Sequence, residues 1–249
     1  MARYQLILAY DGTDFLGSQR QAKDRTVQAE LENALRTLGW TGRSILMAGR
    51  TDSGVHASGQ VAAFDFEWAH SPEELRAALN ACLPRDMAVR NVREAPASFH
   101  PRFDASARRY RYRLFRDAIR DPNRERFAWR VWPEFDEAVL HEAAPLFLGR
   151  HDFAAFGSPT SAKGSTVRTV TLSAWKRLGD EWQFEVRADA FLYRMVRRMV
   201  FVQVAAAQGR LSVQSIADAL EKPSTLLAGL APAHGLTLVE VSYKDRSSK

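Results

Sequence analysis

The feature that most constrains the fold of this sequence is an order of predicted elements that occurs twice. Hydrophobic periodicity predicts strand, helix, strand, strand, helix, strand within residues 3–94, and the same order returns within residues 109–243. This split βαβ order is typical of ferredoxin-like folds. We therefore predict an α+β protein with two ferredoxin-like halves, residues 1–104 and 105–249, in which antiparallel or mixed sheets are flanked by helices.

Signals for helix starts support this periodicity. Thr26 is placed as the N-cap of a helix predicted over 26–38. The residues Ser-Pro-Glu-Glu at 71–74 combine a cap, a proline in the first turn and a capping-box glutamate. In the second half, the pattern predicts helices over 136–147, 191–207 and 212–220.

The charge of the chain favours a polyanionic partner. The formal net charge is +6, and arginine supplies most of the positive charge, with 29 arginines against six lysines. Arginine makes bidentate contacts with phosphate and stacks on bases, and nucleic acid is the commonest partner of a basic protein. Codon usage in a GC-rich genome is an alternative explanation of the ratio, but it does not explain where the arginines cluster.

The composition argues against several classes of site. The single cysteine, Cys82, excludes an intramolecular disulfide and a thiolate metal cage, and no two histidines have the spacing of a helical metal site. No phosphate-binding loop, dinucleotide fingerprint or serine nucleophile elbow is present. The sequence has neither an apolar run long enough for a membrane helix nor a signal-peptide pattern. We therefore expect a cytoplasmic protein that uses no metal or cofactor.

One polar loop between two predicted strands carries candidate catalytic residues. Gly49 and Gly54 bracket a polar tetrapeptide that contains Arg50 and Asp52, so the backbone can turn sharply there. A positive charge at Arg50 would favour the ionised form of Asp52, which nucleophilic or general-base chemistry requires. The alternative is a structural turn in which Asp52 caps backbone N–H groups. The spacing alone favours the structural turn.

A predicted strand over 109–115 interleaves basic and aromatic residues. Side chains two apart share a face of a strand, so three arginines lie on one face and two tyrosines with a leucine on the other: Arg109, Arg111 and Arg113 against Tyr110, Tyr112 and Leu114. Such a strand suits RNA, whose unstacked bases lie on aromatic rings. The alternative is an amphipathic strand whose tyrosines pack in the core.

A further basic cluster lies on the helix predicted over 191–207. Arg194, Arg197 and Arg198 share one stripe of that helix, and Met195 and Met199 share another. A solvated basic face is the alternative reading of this stripe.

Taken together, these motifs resemble the tRNA pseudouridine synthase A family. The Gly-Arg-Thr-Asp-x-Gly-Val-His string at 49–56 is the most specific of them, and the resemblance extends from near residue 10 to near residue 243. The matching segments are Tyr10-Asp11-Gly12, Gln19-Arg20-Gln21, Val27-Gln28, residues 49–56, Phe99-His100, Arg102-Phe103, residues 107–112, Asp152-Phe153, Met195-Val196-Arg197 and Gly235-Leu236.

The resemblance assigns roles to four residues. Asp52 matches the catalytic aspartate of the family, and Tyr110 matches the tyrosine that packs against the target base. Arg197 matches the basic residue that pairs with the catalytic carboxylate, and Arg50 matches an arginine assigned to substrate handling or base displacement. These four residues are therefore the site that the resemblance predicts.

The resemblance also implies a reaction and an assembly. It implies isomerisation of uridine to pseudouridine at positions thirty-eight to forty, in the anticodon stem-loop of tRNA, after the base has been flipped out of its stack. Similar enzymes are homodimers with an active-site cleft between the two halves of each subunit. No cofactor is required, because pseudouridine is an isomer of uridine.

Two departures from the family pattern and three alternatives accompany the resemblance. The chain has Ser18 where the family usually has tryptophan, and Phe201 where it usually has glycine. Asp52 is compatible with a nucleophile or with a general base. A non-catalytic RNA-binding protein would explain the basic strand but not Asp52, and an N-glycosidase would use the aspartate but release the base.

Overall fold

The computed structural model describes residues 1–161, 164–222 and 224–244. The chain divides into two compact units. Unit 1 comprises Met1–Ser106 with the segment from Leu238 onward, and unit 2 comprises Ala107–Thr237. The predicted halves, 1–104 and 105–249, differ from these units chiefly in the closing segment.

Unit 1 has the ferredoxin-like order of elements. These are β1 Ala2–Tyr10, α1 Val27–Thr37, β2 Leu46–Met47, β3 His56–Phe66, α2 Pro72–Cys82 and β4 Met87–Ala95. The strands lie in the order β4-β1-β3-β2, and each neighbouring pair is antiparallel. Leu6 of β1 is paired with Ala62 of β3 and with Val92 of β4, and all three side chains are buried. The predicted α+β fold class is confirmed.

The helices of unit 1 begin where the sequence predicts. The Thr26 hydroxyl accepts a hydrogen bond from the Ala29 N–H at the start of α1. At the start of α2, Ser71 and Glu74 form both hydrogen bonds of the capping box. An N-cap of this kind stabilises a helix by about 1 kcal/mol.

Unit 2 repeats the order of unit 1 and adds elements to it. Its elements are β5 Ala105–Arg116 (in unit 2 from Ala107), β6 Trp129–Val131, α3 Glu137–Ala143, β7 Gly149–Asp152, β8 Val167–Leu178, β9 Glu181–Ala188, α4 Met195–Ala207 and α5 Val213–Glu221. The last strand, β10 Leu236–Tyr243, passes into unit 1 at Leu238. The strands lie in the order β5-β9-β8-β7 with antiparallel neighbours, and β6 pairs with β5 in parallel.

Two helices of unit 2 are shorter than the sequence pattern predicts. The prediction of one helix over 191–207 is wrong at its start, because Arg194 has φ 63° and ψ 7° and a left-handed residue does not continue a right-handed helix. The helix predicted over 136–147 becomes a 3₁₀ helix after α3, because Pro145 has no N–H to donate to a helical hydrogen bond.

The helix α4 forms much of the core of unit 2. Met199 and most of its other side chains are buried, including the polar Gln203. The Gln203 Oε1 accepts from the Trp175 Nε1 at 2.8 Å, and its Nε2 donates to the Met199 carbonyl at 3.0 Å, so its buried amide is hydrogen-bonded at both ends. Despite this apolar character, no helix among the described residues is long and apolar enough to cross a membrane.

Candidate active site

Asp52 lies at the start of a tight turn between β2 and β3. The Val55 N–H donates to the Asp52 carbonyl at 3.2 Å, and Gly54 within the turn has φ 77°. A positive φ favours glycine, which explains why the loop needs a glycine at this position. Asp52 is partly exposed, whereas Val55 is buried. The turn therefore holds Asp52 near the surface of unit 1, whereas Val55, at the other end of the turn, lies in the core.

The residue before Asp52 is fixed by three hydrogen bonds. Thr51 is buried, and its Oγ1 is 2.8 Å from the Tyr10 hydroxyl. The Thr51 N–H donates to the Ser18 Oγ at 2.8 Å, and the Thr51 carbonyl accepts from the Ser18 N–H at 3.1 Å. Burial raises the pKa of Tyr10 to about 12, although hydrogen bonds with Thr51 and Gln60 act in the opposite direction. The Tyr10 phenol is thus a neutral anchor for the loop that carries Asp52.

The loop that follows β1 packs closely against the Asp52 turn. A Cβ at Gly12 would collide with the Val55 carbonyl, and the Gly12 N–H donates to the His56 Nδ1 at 2.9 Å. Gly17 has φ 86°, and a Cβ there would lie 3.0 Å from the Thr51 carbonyl oxygen. The residues that follow β1 therefore support the Asp52 turn.

Arg50 is exposed in the same loop, one residue before Thr51. The start of the loop is held by a hydrogen bond from the Gln60 Nε2 to the Gly49 carbonyl at 3.0 Å. Arg50 and Asp52 therefore belong to one rigidly supported segment of unit 1. Among the described residues, no group of three or more His, Cys, Asp or Glu side chains could hold a metal ion.

Tyr110 and Tyr112 lie on one face of β5 in unit 2, but in different environments. Tyr112 is fully buried, and its hydroxyl donates to the Pro232 carbonyl at 2.8 Å. Tyr110 retains 9% exposure, and its ring meets the Phe191 ring edge-on with the centroids 5.1 Å apart. Tyr112 is therefore a core residue, as the structural alternative predicts, whereas Tyr110 lies at the margin of the core.

Arg197 lies in the first turn of α4 and is tied to the segment before β10. Its Nε donates to the Ala231 carbonyl at 2.8 Å, and the Ala231 N–H donates back to the Arg197 carbonyl at 3.3 Å. Burial raises the pKa of Tyr112 well above its ordinary value, while the positive charge of Arg197 acts to lower it. The guanidinium is therefore placed by main-chain contacts beside the phenol of Tyr112.

A known protein family matches most of this chain. The model of the tRNA pseudouridine synthase family matches residues 6–104 and 143–244, which is most of the chain and includes Asp52 and Arg197. This chain belongs to the tRNA pseudouridine synthase family. The match confirms the predicted resemblance to this family. Its members are isomerases.

Named relatives align over nearly their whole length. The tRNA pseudouridine synthase A of Chloroflexus aurantiacus (strain ATCC 29366 / DSM 635 / J-10-fl) is 44% identical, with 98% of this chain and 89% of the relative covered. The enzymes of that name from Methylacidiphilum infernorum (isolate V4) and Halalkalibacterium halodurans are 42% and 40% identical, covering 96% and 95% of this chain and 95% and 90% of theirs.

One departure from the family pattern given in the sequence analysis lies against the loop that carries Asp52. Ser18 replaces the usual tryptophan, is fully buried, and exchanges two hydrogen bonds with Thr51. A tryptophan at this position has no hydroxyl to accept from the Thr51 N–H. The small polar side chain therefore gives this member of the family a specific contact one residue from Asp52.

We expect Ser18→Ala to lower both stability and turnover. The change leaves the buried Thr51 N–H without its acceptor, which costs about 1–3 kcal/mol of unfolding free energy. Loosening Thr51 also loosens Asp52, so kcat is expected to fall while KM changes little. Denaturant unfolding and steady-state kinetics measure the two effects. Ser58→Ala, at an exposed serine of β3, is the matched control, and equal behaviour of the two variants would contradict the positioning role.

The second departure, Phe201 of α4, also has a structural partner. A Cβ at Gly229 would collide with the Phe201 ring, so glycine at 229 accommodates the larger residue on the helix. The guanidinium groups of Arg198 and Arg210 each lie 5.6 Å from the centroid of that ring. Phe201 thus packs against the segment that holds Arg197.

The basic face predicted on β5 is not a bare cationic surface. Arg109 and Arg111 both contact Glu185 of β9, and Arg113 contacts Glu181 of the same strand. Burial alone would raise the pKa of Glu185, but the hydrogen bonds and charges of Arg111 and Arg109 lower it below its ordinary value. Cross-strand pairing therefore neutralises much of the charge that the sequence pattern offers to RNA.

Proposed function

We propose that this chain converts uridine to pseudouridine in tRNA, at positions thirty-eight to forty of the anticodon stem-loop. The observation that carries the proposal is the alignment, across nearly the whole chain, with relatives named tRNA pseudouridine synthase A. The proposed location follows from the substrate and is the cytoplasm. The reaction is an isomerisation and so needs no net input of electrons or energy.

In the proposed reaction Asp52 supplies the essential carboxylate. The N1–C1′ bond of the uridine breaks, the uracil turns, and C5 bonds to C1′. The C5 proton then passes to water and N1 takes up a proton, so the product is an isomer of uridine. Asp52 initiates this sequence either as a nucleophile on the sugar or base or as a base at C2′ of the ribose. Both routes need a carboxylate held in one position, and the hydrogen bonds of Thr51 and the Asp52 turn provide that rigidity.

The family resemblance assigns roles in this reaction to three further residues. Tyr110 packs against the uracil and prevents its escape while it is detached. The resemblance gives Arg197 the role of the basic residue that pairs with the catalytic carboxylate. Arg50 displaces the target base from its stack, a step that costs a few kcal/mol. These roles follow the family resemblance, and the rigid Asp52 turn and the marginal burial of Tyr110 support them.

The test of the proposal uses tRNA that carries tritium at C5 of uracil. An isomerase releases tritium to water and retains the base in the RNA. An N-glycosidase releases free uracil, and a non-catalytic RNA-binding protein releases neither product. Transcripts with uridine at only one of the three proposed positions then report which positions are substrates, and transcripts with none of them are the control.

We further propose that the active protein is a homodimer, as in similar enzymes. Multi-angle light scattering at micromolar concentration is expected to give twice the monomer mass of 28.0 kDa. The same measurement in the presence of tRNA gives the number of tRNA molecules per dimer. A monomer mass across the concentration range would contradict the assembly but not the reaction.

A further inference from the structure

Unit 2 contains a wide-open surface cavity of about 390 Å³ beside the first turn of α4. Its walls include the loop 154–158, the residues Tyr193 and Arg194, and Arg198. The Tyr193 N–H donates to the Ser158 carbonyl at 2.9 Å, which ties the loop to the start of the helix. A Cβ at Gly157 would lie 2.7 Å from the Tyr193 carbonyl oxygen, so glycine permits this close approach. The cavity is therefore built by main-chain contacts.

Two arginines line this cavity without a carboxylate partner in the part of the chain that the structure describes. The Arg198 Nη1 donates to the Gly229 carbonyl at 2.8 Å, and the Arg194 guanidinium lies 4.7 Å from the centroid of the Tyr193 ring. Arg109, Arg111 and Arg113 of β5 differ, because Glu181 and Glu185 of β9 pair with them. The cavity thus presents positive charge that no carboxylate of the described residues pairs.

The surroundings of these arginines favour an anionic ligand. Burial lowers the pKa of Arg198, which means that its charge is partly desolvated. Its contacts with the Gly229 carbonyl and with the Phe201 ring carry no negative charge. Arg194 is the one non-glycine residue of the described chain with a positive φ. Such conformations persist only where the surrounding structure imposes them, and they cluster at ligand sites.

We propose that this cavity binds one phosphodiester of the RNA strand, with its ribose, through Arg194 and Arg198. The guanidinium group matches the geometry of phosphate oxygens and makes charge-assisted hydrogen bonds to them. The Tyr193 side chain is 49% exposed and provides an apolar wall for the sugar. The inference rests on the proposed function only in taking RNA as the ligand. It adds an RNA contact to those proposed for Asp52, Tyr110, Arg50 and Arg197.

The experiment uses the double variant Arg194→Asn with Arg198→Gln. Asparagine tolerates the left-handed conformation at 194, so both charges are removed with little strain. Binding of tRNA is measured across a salt titration, and kcat and KM are measured by tritium release. Each lost phosphate contact is expected to reduce the log–log salt slope by about 0.7–0.9, with binding about tenfold weaker at low salt. The kcat at saturating tRNA is expected to stay near that of the unmodified chain.

The control removes the same charge elsewhere. Arg76→Gln with Arg90→Gln changes two exposed arginines of α2 and β4, and its salt slope is expected to match that of the unmodified chain. If the first double variant fails to fold, Arg194→Asn alone tests the same contact, because that side chain is exposed. A slope and KM equal to those of the control would overturn the phosphate site.

The outcomes for the site and for the proposed function are separable. If the unmodified chain releases no tritium from labelled tRNA but the double variant still loses salt-dependent binding, the phosphate site stands and the proposed function fails. If tritium is released by both proteins with equal KM and equal salt slopes, the proposed function stands and the site fails.

Discussion

Asp52→Asn is expected to abolish tritium release from C5-labelled tRNA while tRNA binding stays close to that of the unmodified chain. The substitution keeps the volume of the side chain but removes its charge and its basicity, which both proposed routes require. Loss of a residue of this kind typically lowers kcat by roughly a thousandfold or more. Single-turnover assays at saturating enzyme, with binding measured on the same preparation, give both quantities.

The structure makes this substitution a sharp test of the structural alternative. The hydrogen bond that closes the turn uses the main-chain carbonyl of Asp52, which asparagine retains. The anchors of Thr51 are likewise unchanged, so the unfolding free energy is expected to stay within about 1 kcal/mol, as for most changes that break no core contact. The matched control is Asp180→Asn, at an exposed aspartate of the β8–β9 turn. Turnover of the Asp52 variant within about tenfold of the unmodified chain would falsify the catalytic role, since that equals only about 1.4 kcal/mol of barrier.

Tyr110→Ala is expected to cost about a hundredfold or more in kcat, because the detached uracil loses the surface that keeps it aligned for reattachment. The variant also loses stability, since removing a buried aromatic ring costs about 3–5 kcal/mol. Activity is therefore measured well below the unfolding midpoint and normalised to the folded fraction. Tyr110→Phe separates two roles of the residue: full activity indicates packing by the ring, and loss indicates that the hydroxyl assists removal of the C5 proton.

The control for Tyr110 is the neighbouring tyrosine on the same face of β5. Tyr112→Phe removes only the hydrogen bond to the Pro232 carbonyl, which is expected to cost about 1 kcal/mol of stability and little activity. If Tyr110→Phe and Tyr110→Ala both retain activity once corrected for folding, Tyr110 is a structural residue like Tyr112.

Local sequence patterns predict much of the fold because they encode local physics. The alternation that places Tyr110 and Tyr112 on one face, and the cap residues Thr26 and Ser71, act through neighbours within a few positions. The bracketing glycines likewise indicate the Asp52 turn, and Gly54 proves to have the positive φ that the turn requires. The family resemblance then selects Asp52 among many aspartates as the proposed catalytic residue, a choice that spacing alone could not make.

The tertiary structure decides what depends on residues distant in sequence. The pairing of Arg111 with Glu185 follows from the register of β5 against β9, so a stripe that appears cationic in sequence is largely neutralised. Ser18 supports Thr51 because two loops separated by more than thirty residues meet there. The left-handed Arg194 shortens α4 where periodicity continues the helix, because its neighbours are tied to the loop at Ser158. In each case a periodic pattern specifies which face a side chain occupies, whereas only the folded chain specifies which distant group it meets.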